Sequence, residues 1–501
     1  MSLQRILPLA PGADAPALFD IAHTRALEAA AAAALPPYRL MARAGEATAR
    51  LALAIAPHAR EVWIAAGPGN NGGDGLEAAC HLQRWGKAVS VSLIGDAAAL
   101  PVDARSALAR AQAAGVRIGG DRPERPDLAI DALLGIGASR APQGAIAAVI
   151  GELNALTCPV LAIDLPSGLS ADTGQPLGEA CVSASHTLTM LGLKPGLFTA
   201  AGRDHAGEVW LDTLAVDASG HAAQAYLSGV PRLAPRQHAQ HKGSFGDVAI
   251  VGGGPGMGGA ALLASRAAHA AGAGRVFVEL LGGAPVGFDS STPELMFRPG
   301  WSAGTPATLG ASTVVCGCGG GDAVRGPLAR LLSHARRLVL DADALNALAR
   351  DTALMTLLQA RAGRGLATVL TPHPLEAARL LAATTAQVQA DRLDAAQTLA
   401  LRCRAVVVLK GSGSVIAAPD RTPRINSTGN AALATAGTGD VLAGWLGGRW
   451  SQRGRGDLDA DEAAIAFEAA LQAVAEHGAA AEPPPPGALR ASSLIERLAQ
   501  R

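Results

Sequence analysis

Two glycine-rich stretches carry the side chains best suited to chemistry. GPGNNGGDG (67–75) sets Asn70, Asn71 and Asp74 among five glycines. Its first six residues satisfy G-x-G-x-x-G, a spacing that lets backbone N–H groups turn toward a phosphate at a helix N-terminus. A phosphate gains little from a carboxylate beside it, so this loop points beyond plain cofactor holding. AGTGD (436–440) opens another helical pattern. There the N–H groups of 437–439 form an anion hole for a transferring phosphoryl group, and Asp440 is placed to take a hydroxyl proton. KGSGS (410–414) leaves the apolar run AVVVL directly, so Lys410 and the N–H groups after it face a nucleotide phosphate.

Further candidates follow other apolar runs. Asn71, Asp131 and Ser167 offer only oxygen ligands from three strand ends, which suits a hard cation rather than zinc. Asp164 ends an apolar strand and can exchange a proton with a bound substrate on a partly desolvated rim. Asp96 stands where a dinucleotide-binding fold reads a ribose. His373 lies on a turn, TPHP, where it either caps the next helix or contacts a ligand. Cys316 and Cys318 form C-x-C without a second pair or a nearby His, which fits small-residue packing better than metal binding.

Such groups need strands that end on one rim. EVWIAAG (61–67), AVSVSLIG (88–95), DLAIDALLG (127–135) and PVLAIDLPSG (159–168) are apolar runs of strand length. HTLTMLG (186–192) and GEVWLDTLAV (207–216) extend the set, and two helical patterns, at about 14–32 and 39–56, precede it. A second series follows: DVAIVGG, RVFVEL, STVVCG, RLVLDAD, ATVLTPHP and AVVVLKG, with another glycine match, GPGMGG, at 254–259. Strands alternating with helices predict parallel α/β sheets, and ligands in such sheets lie at the carboxyl ends of the strands. The expected division is one α/β domain over 1–218, a proline-containing linker without apolar period over 219–235, and a second α/β domain over 236–501.

Bulk properties narrow the class. Basic and acidic residues balance at 42 each, so no charge excess suggests nucleic acid. Six scattered cysteines in 501 residues argue against a disulfide framework and fit a reducing compartment. There is no signal-like N-terminal run and no uninterrupted stretch of about 18 apolar residues. The expectation is a soluble, cytoplasmic enzyme with small-molecule partners, no nucleic acid and no membrane. Its apolar content permits a homo-oligomer.

NNGGDG after a strand, LMARAG upstream, DALLGIG and AIDLPSGLSADTG together resemble the NAD(P)H-hydrate epimerase family over about residues 14–216. The resemblance implies a Rossmann-like fold that interconverts the R and S forms of the hydrated cofactors NADHX and NADPHX, with a potassium ion at the site. It implies that Asn70, Asn71, Gly72, Gly73 and Asp74 bind the hydrate, with Gly135, Ile136, Gly137, Ala138, Ser139, Arg140 and Ala141. Asp164 is then both ligand and acid–base group, while Asn71, Asp131 and Ser167 hold potassium. Ser185, in SASHTLT, stands where the family commonly has Asp.

GTGD resembles the ribokinase-like superfamily. HKGSFGDVAIVGG, GMGGAALLA, STPELM, DADALN, TPHPLEAARLL, KGSGSVI and GNAALATAGTGDVLAG, in that order, resemble the narrower ADP-dependent NAD(P)H-hydrate dehydratase family over about 230–500. By that resemblance Lys410, Gly411, Ser412, Gly413, Ser414 and Gly439 contact the adenine nucleotide, and Ala261, Gly319, His373 and Asp440 contact the hydrate. Magnesium is expected with ADP. GCGGG (317–321) replaces the usual GPGLG. The implied products are NAD(P)H, AMP and phosphate. Two rivals share parts of this pattern: a ribokinase-like kinase that phosphorylates a stable alcohol, and a nucleotide sensor without turnover. A dehydrogenase fits least, because hydride transfer needs no GTGD.

Overall fold

In the computed structural model the described residues are 3–7, 15–119, 122–229, 236–282, 287–454 and 461–501. They form two compact units, one holding Pro16–Tyr226 and the other Leu227–Arg501. The change of unit falls within the stretch read as a linker, of which 230–235 lie outside the described residues.

In the first unit two helices lead, α1 (Ile21–Ala34) and α2 (Arg39–Ile55). The first starts later than its alanine-rich pattern suggests, because the Asp20 carboxylate accepts from the His23 N–H at 2.7 Å and caps it there; residue 14 of the expected range lies outside the described residues. Then come β1 (Glu61–Ala66), α3 (Asn70–Arg84), β2 (Ala88–Leu93), α4 (Val102–Ala113), β3 (Leu128–Ala132), α5 (Gly144–Asn154), β4 (Val160–Ile163), β5 (His186–Met190) and β6 (Glu208–Asp212). The sheet order is β6-β5-β4-β3-β1-β2, every neighbouring pair parallel. Strands this apolar are buried on both faces, and β1, β3 and β4 are, which is why they read as continuous runs rather than alternations. The chain steps outward from β1 to β2 and then returns to the other side of β1 as β3. That reversal opens a crevice at the carboxyl ends of β1 and β3.

The second unit repeats the logic with other lengths. Its elements include β7 (Asp247–Gly252), α6 (Gly258–Ala270), β8 (Arg275–Leu280), β9 (Ser312–Cys316), β10 (Arg337–Leu340), β11 (Ala367–Leu370), α7 (Pro374–Leu381), α8 (Arg392–Cys403), β12 (Val406–Leu409), β13 (Val415–Ala418), β14 (Arg421–Ile425), α9 (Thr438–Ser451) and α10 (Glu462–Ala479), with further helices between and after them. The order β8-β7-β9-β10-β11-β12 is parallel; β13 and β14 then add antiparallel, a hairpin the apolar pattern does not announce. Again the direction of addition reverses, between β7 and β9.

Glycines let α9 lie directly on α6. A Cβ on Gly444 would meet the Ala264 carbonyl oxygen at 1.9 Å, and one on Gly448 the Ala268 oxygen at 2.6 Å. Gly444→Ala should therefore lower stability by about 1–3 kcal/mol through overpacking, read as a lower urea midpoint for the second unit. An unchanged midpoint would mean that the two helices can separate freely.

Candidate active sites

The first crevice is a cavity of about 650 Å³. Asn70, Asn71 and Asp74 reach it from the start of α3, Gly135, Ile136, Gly137 and Ala138 from the loop after β3, and Asp164 from the end of β4. Other expected ligands stand apart. Gly72 and Gly73 are buried packing positions: a Cβ on the first would strike the Gly67 oxygen at 2.0 Å, and on the second Met41 at 2.6 Å and Ala104 at 2.9 Å. Ser139, Arg140 and Ala141 are exposed and do not line the cavity.

Asp131 and Ser167 lie beneath it, both 0% exposed. The Asp131 carboxylate accepts from Ser167 Oγ at 2.6 Å, Ser167 N at 2.8 Å and Leu133 N at 3.2 Å. Burial nevertheless pushes it up to about 6, against the lowering effect of those donors. Nearby Asn71 has a buried side-chain nitrogen without a hydrogen-bond partner, and its side chain faces Gly135, whose added Cβ would lie 3.4 Å away.

Asp164 sits in the left-handed region, φ +65°, a conformation Asp tolerates better than most residues. Its carboxylate is ion-paired with Lys194, which is 0% exposed. Sequence reasoning passes over Lys194 because LKPG reads as a turn and its partner lies 30 residues upstream. Glu28, from α1, also lines the cavity. Burial and then the Asp164 charge raise it above the ordinary carboxylate range. Asp96 serves a local purpose instead, its carboxylate capping a short helical turn by accepting from Ala98 N at 2.9 Å.

In the second unit the loops after β7 and β9 clasp each other: Gly253 N donates to Cys318 O at 2.9 Å and Gly254 N to Gly319 O at 2.6 Å. Gly319 needs its glycine, with φ +58° and the Met257 oxygen 2.8 Å from where a Cβ would be. Ala261 is 0% exposed inside the core, so its side chain packs under this loop rather than facing a ligand. Cys316 is a packing residue, as its pattern suggests. Cys318 is not merely that: its sulfur and the carboxylates of Asp341 and Asp440 lie within 4.8 Å of one another. Burial, then the charges of Asp440 and Asp341, keep this thiol protonated.

Asp440 opens α9, where Gly437, φ +89°, is the N-cap and no side chain caps the first turn. Thr438 N donates to Thr435 O at 3.4 Å, and the positive end of the helix dipole lies at this turn. Burial and then the Asp341 charge push Asp440 up to about 6. Lys410 donates to Asp341 at 2.8 Å. Burial opposes its charge, but Asp341 and Glu376 more than offset that and raise it. Arg392, 1% exposed, steadies the strand exit by donating to the carbonyls of Leu409 and Lys410 at 3.2 and 3.1 Å. Gly411, Ser412, Gly413 and Ser414 continue from there as the turn into β13.

His373 caps α7: its Nδ1 accepts from Leu375 N at 3.1 Å and Glu376 N at 3.3 Å, and Glu376 accepts from His373 N at 2.8 Å. The capping alternative therefore describes one ring nitrogen, while the other stays 3.2 Å from Glu376 on a half-exposed side chain. Burial pushes Glu376 up to about 7, with Lys410 opposing.

Gly439 lies against the lysine. A Cβ there would be 3.3 Å from Lys410 Nζ, which Asp341 holds in place. Gly439→Ala should weaken ADP binding about tenfold, roughly 1.4 kcal/mol, at an unchanged unfolding midpoint. Calorimetric titration giving wild-type affinity would remove Gly439 from the nucleotide site.

Comparison with known proteins agrees with both halves. A family model described as YjeF-related protein N-terminus matches residues 37–196, and one described as NAD(P)H-hydrate dehydratase matches 248–496. The bifunctional NAD(P)H-hydrate repair enzyme of Escherichia coli K12 is 37% identical over 473 residues, 91% of this chain and 87% of that one. Its counterpart in Leishmania braziliensis is 36% identical over 492 residues, 88% and 84% of the two chains. A crystal structure of the ADP/ATP-dependent NAD(P)H-hydrate dehydratase of Bacillus subtilis, co-crystallised with ATP and Mg2+, aligns with TM-score 0.41 and 28% identity, covering 54% of this chain and 92% of that one. With both halves matched and more than a third of its residues identical across most of its length, the chain belongs to the family of bifunctional NAD(P)H-hydrate repair enzymes.

Proposed function

We propose that the two sites act in series on hydrated nicotinamide cofactors. The first interconverts the R and S forms of NADHX and NADPHX. The second dehydrates the S form with ADP, giving NADH or NADPH, AMP and phosphate. The observation that carries this reading is the grouping of Asp440, Asp341 and Lys410 at the uncapped start of α9.

Dehydration needs activation because hydroxide leaves poorly and phosphate leaves well. Asp440, ionised at neutral pH with a value of about 6, takes the proton of the ring hydroxyl as that oxygen attacks the β-phosphorus of ADP. The N–H groups at 437–439 receive the phosphoryl oxygens, and Lys410 offsets their charge. Phosphate then departs as the ring nitrogen supplies its electron pair, and a proton from the adjacent ring carbon passes to the departing phosphate, which restores the ring double bond of NADH or NADPH. Lys410, Gly411 to Ser414 and Gly439 hold the nucleotide; Gly319, His373 and Asp440 hold the hydrate. Magnesium would accompany the ADP phosphates and neutralise their charge, with the Asp341 carboxylate as a hard oxygen donor.

In the first site Asp164 exchanges a proton with the hydrate held by Asn70, Asn71, Asp74 and the 135–138 loop. The residues fit potassium. Asp131 is a buried carboxylate with no cationic partner among its hydrogen bonds, and Asn71 has a buried amide nitrogen without a partner, in a group whose oxygen and nitrogen can exchange places. Asn71, Asp131 and Ser167 would hold the ion, which supplies charge balance under the substrate. All six cysteines are free thiols, which supports a reducing, cytoplasmic setting. No helix among the described residues is long and apolar enough to cross a membrane.

The test uses a mixture of both NADHX epimers with ADP and magnesium, following NADH absorbance and AMP. Complete conversion with AMP formed in step is expected. Conversion that halts when the S form is spent removes the epimerase half. A stable phosphorylated product without NADH would overturn the dehydratase half in favour of a small-molecule kinase.

A further inference from the structure

The first cavity holds more acid than a single acid–base residue requires. Asp74, Glu28 and Asp103 line it with Asp164, opposed by Lys194 and Arg25. Asp164 is held by one oxygen only. Lys194 Nζ, the Met190 N–H at 3.2 Å and the Thr189 hydroxyl at 3.4 Å all donate to Oδ1, and no described residue donates to Oδ2. The ammonium has no donor left for a substrate, because its remaining protons go to Thr189 Oγ1 at 3.0 Å and the Met190 carbonyl at 2.8 Å. Lys194 therefore fixes Asp164 and does not itself reach the reacting atoms.

Asp74 is the opposite case. Its carboxyl has no hydrogen-bond partner among the described residues. Burial, followed by the charges of Asp164, Glu28 and Asp103, holds it well above the usual carboxylate range. One carboxyl thus keeps a proton while its neighbour is paired with an ammonium, so the cavity offers a proton donor and a carboxylate acceptor together. The sheet also sets them apart. Asp74 belongs to the helix after β1 and Asp164 follows β4, with β3 between those strands. Both carboxyls line the one cavity of about 650 Å³, which has room for a six-membered ring.

We propose that Asp74 and Asp164 act from opposite sides of the hydrated ring, Asp74 as proton donor and Asp164 Oδ2 as proton acceptor, with Lys194 as the positioning residue that leaves Oδ2 free. This rests on the epimerase reading of the cavity. Asp74 gives its proton to the ring hydroxyl, the carbon–oxygen bond breaks, and water leaves. The ring nitrogen's electron pair forms a carbon–nitrogen double bond to that carbon. A water on the other face then adds to the carbon and passes its proton to Asp164. One carbon–oxygen bond is lost and one gained, and one proton has moved from Asp74 to Asp164. The two carboxyls have exchanged roles, so the next turnover runs in the reverse sense.

The full-length enzyme is given NADHX in water labelled with heavy oxygen, without ADP, and the epimers are separated and weighed by mass spectrometry. One heavy oxygen per inversion is expected. Asp74→Asn should slow inversion at least about a hundredfold, with the urea midpoint of the first unit as the folding control. Lys194→Met should lower kcat with little change in KM, and Lys194→Arg should recover part of it. Inversion that retains the original oxygen means that the ring opens at its carbon–nitrogen bond, and overturns the proposal; so does wild-type inversion by Asp74→Asn. If the unaltered enzyme inverts nothing, the epimerase reading itself falls and the proposal falls with it.

Discussion

Asp440→Asn should end recovery of NADH from the S hydrate, lowering kcat by about 10²–10⁴ while ADP still binds. The substitution keeps size and hydrogen bonding at the start of α9 but removes the lone pair that takes the hydroxyl proton. The nucleotide contacts proposed for Lys410 and the 411–414 turn do not pass through this carboxylate, so calorimetric titration should give nearly wild-type ADP affinity. The pH profile supplies an independent check. A base works only when ionised, so activity is present above its folded-state value and is lost as pH falls through it. Burial and the neighbouring Asp341 charge put that value at about 6. Dehydration should therefore reach its plateau above about pH 7 and fall tenfold per unit below 6. An acid limb near 4, where an ordinary Asp titrates, would show that another group takes the proton.

Much of this arrangement was legible in the sequence, for a definite physical reason. Parallel strands buried on both faces produce unbroken apolar runs, and the polar residue ending each run must lie on one rim. That places Asp131, Asp164, Lys410 and the glycine loops before any coordinates are known. The partners of those residues are another matter. Lys410 pairs with Asp341, 69 residues away, and Asp164 with Lys194 across 30. Nothing in DAD or LKPG says which carboxylate meets which ammonium, because strand order and loop path decide it. Glu28 is hidden more deeply, since an acid in an alanine-rich helix reads as a solvated face. Motif matching also takes in residues whose side-chain positions face the packing. Gly72 and Gly73 share the first turns of α3 with cavity residues, yet their missing side chains make room for Gly67, Met41 and Ala104. Ala261 likewise sits beside the glycine loop but under it. Adjacency along the chain tells which loop is used, and the packing tells which side of it faces the ligand.

Asp164→Asn should separate the two activities. Inversion of the hydrate should fall by about 10²–10⁴, while dehydration of pure S hydrate stays at the wild-type rate, because Asp440 and its neighbours belong to the other unit. A mixture of epimers would then give NADH only up to its S content. Asn is the informative choice at φ +65°, since it tolerates the left-handed region as Asp does. The ion pair complicates the reading in a way that can be resolved. Lys194 is 0% exposed and would lose its counter-charge, and breaking a buried pair from one side costs about 3–5 kcal/mol. The single variant should accordingly unfold at lower urea as well as lose inversion. Replacing Lys194 too, as Asp164→Asn with Lys194→Met, removes the stranded ammonium, and most of the lost stability should return. Inversion should not. If activity returned with stability, Asp164 would be a structural partner of Lys194 and the proton would be taken elsewhere in the cavity.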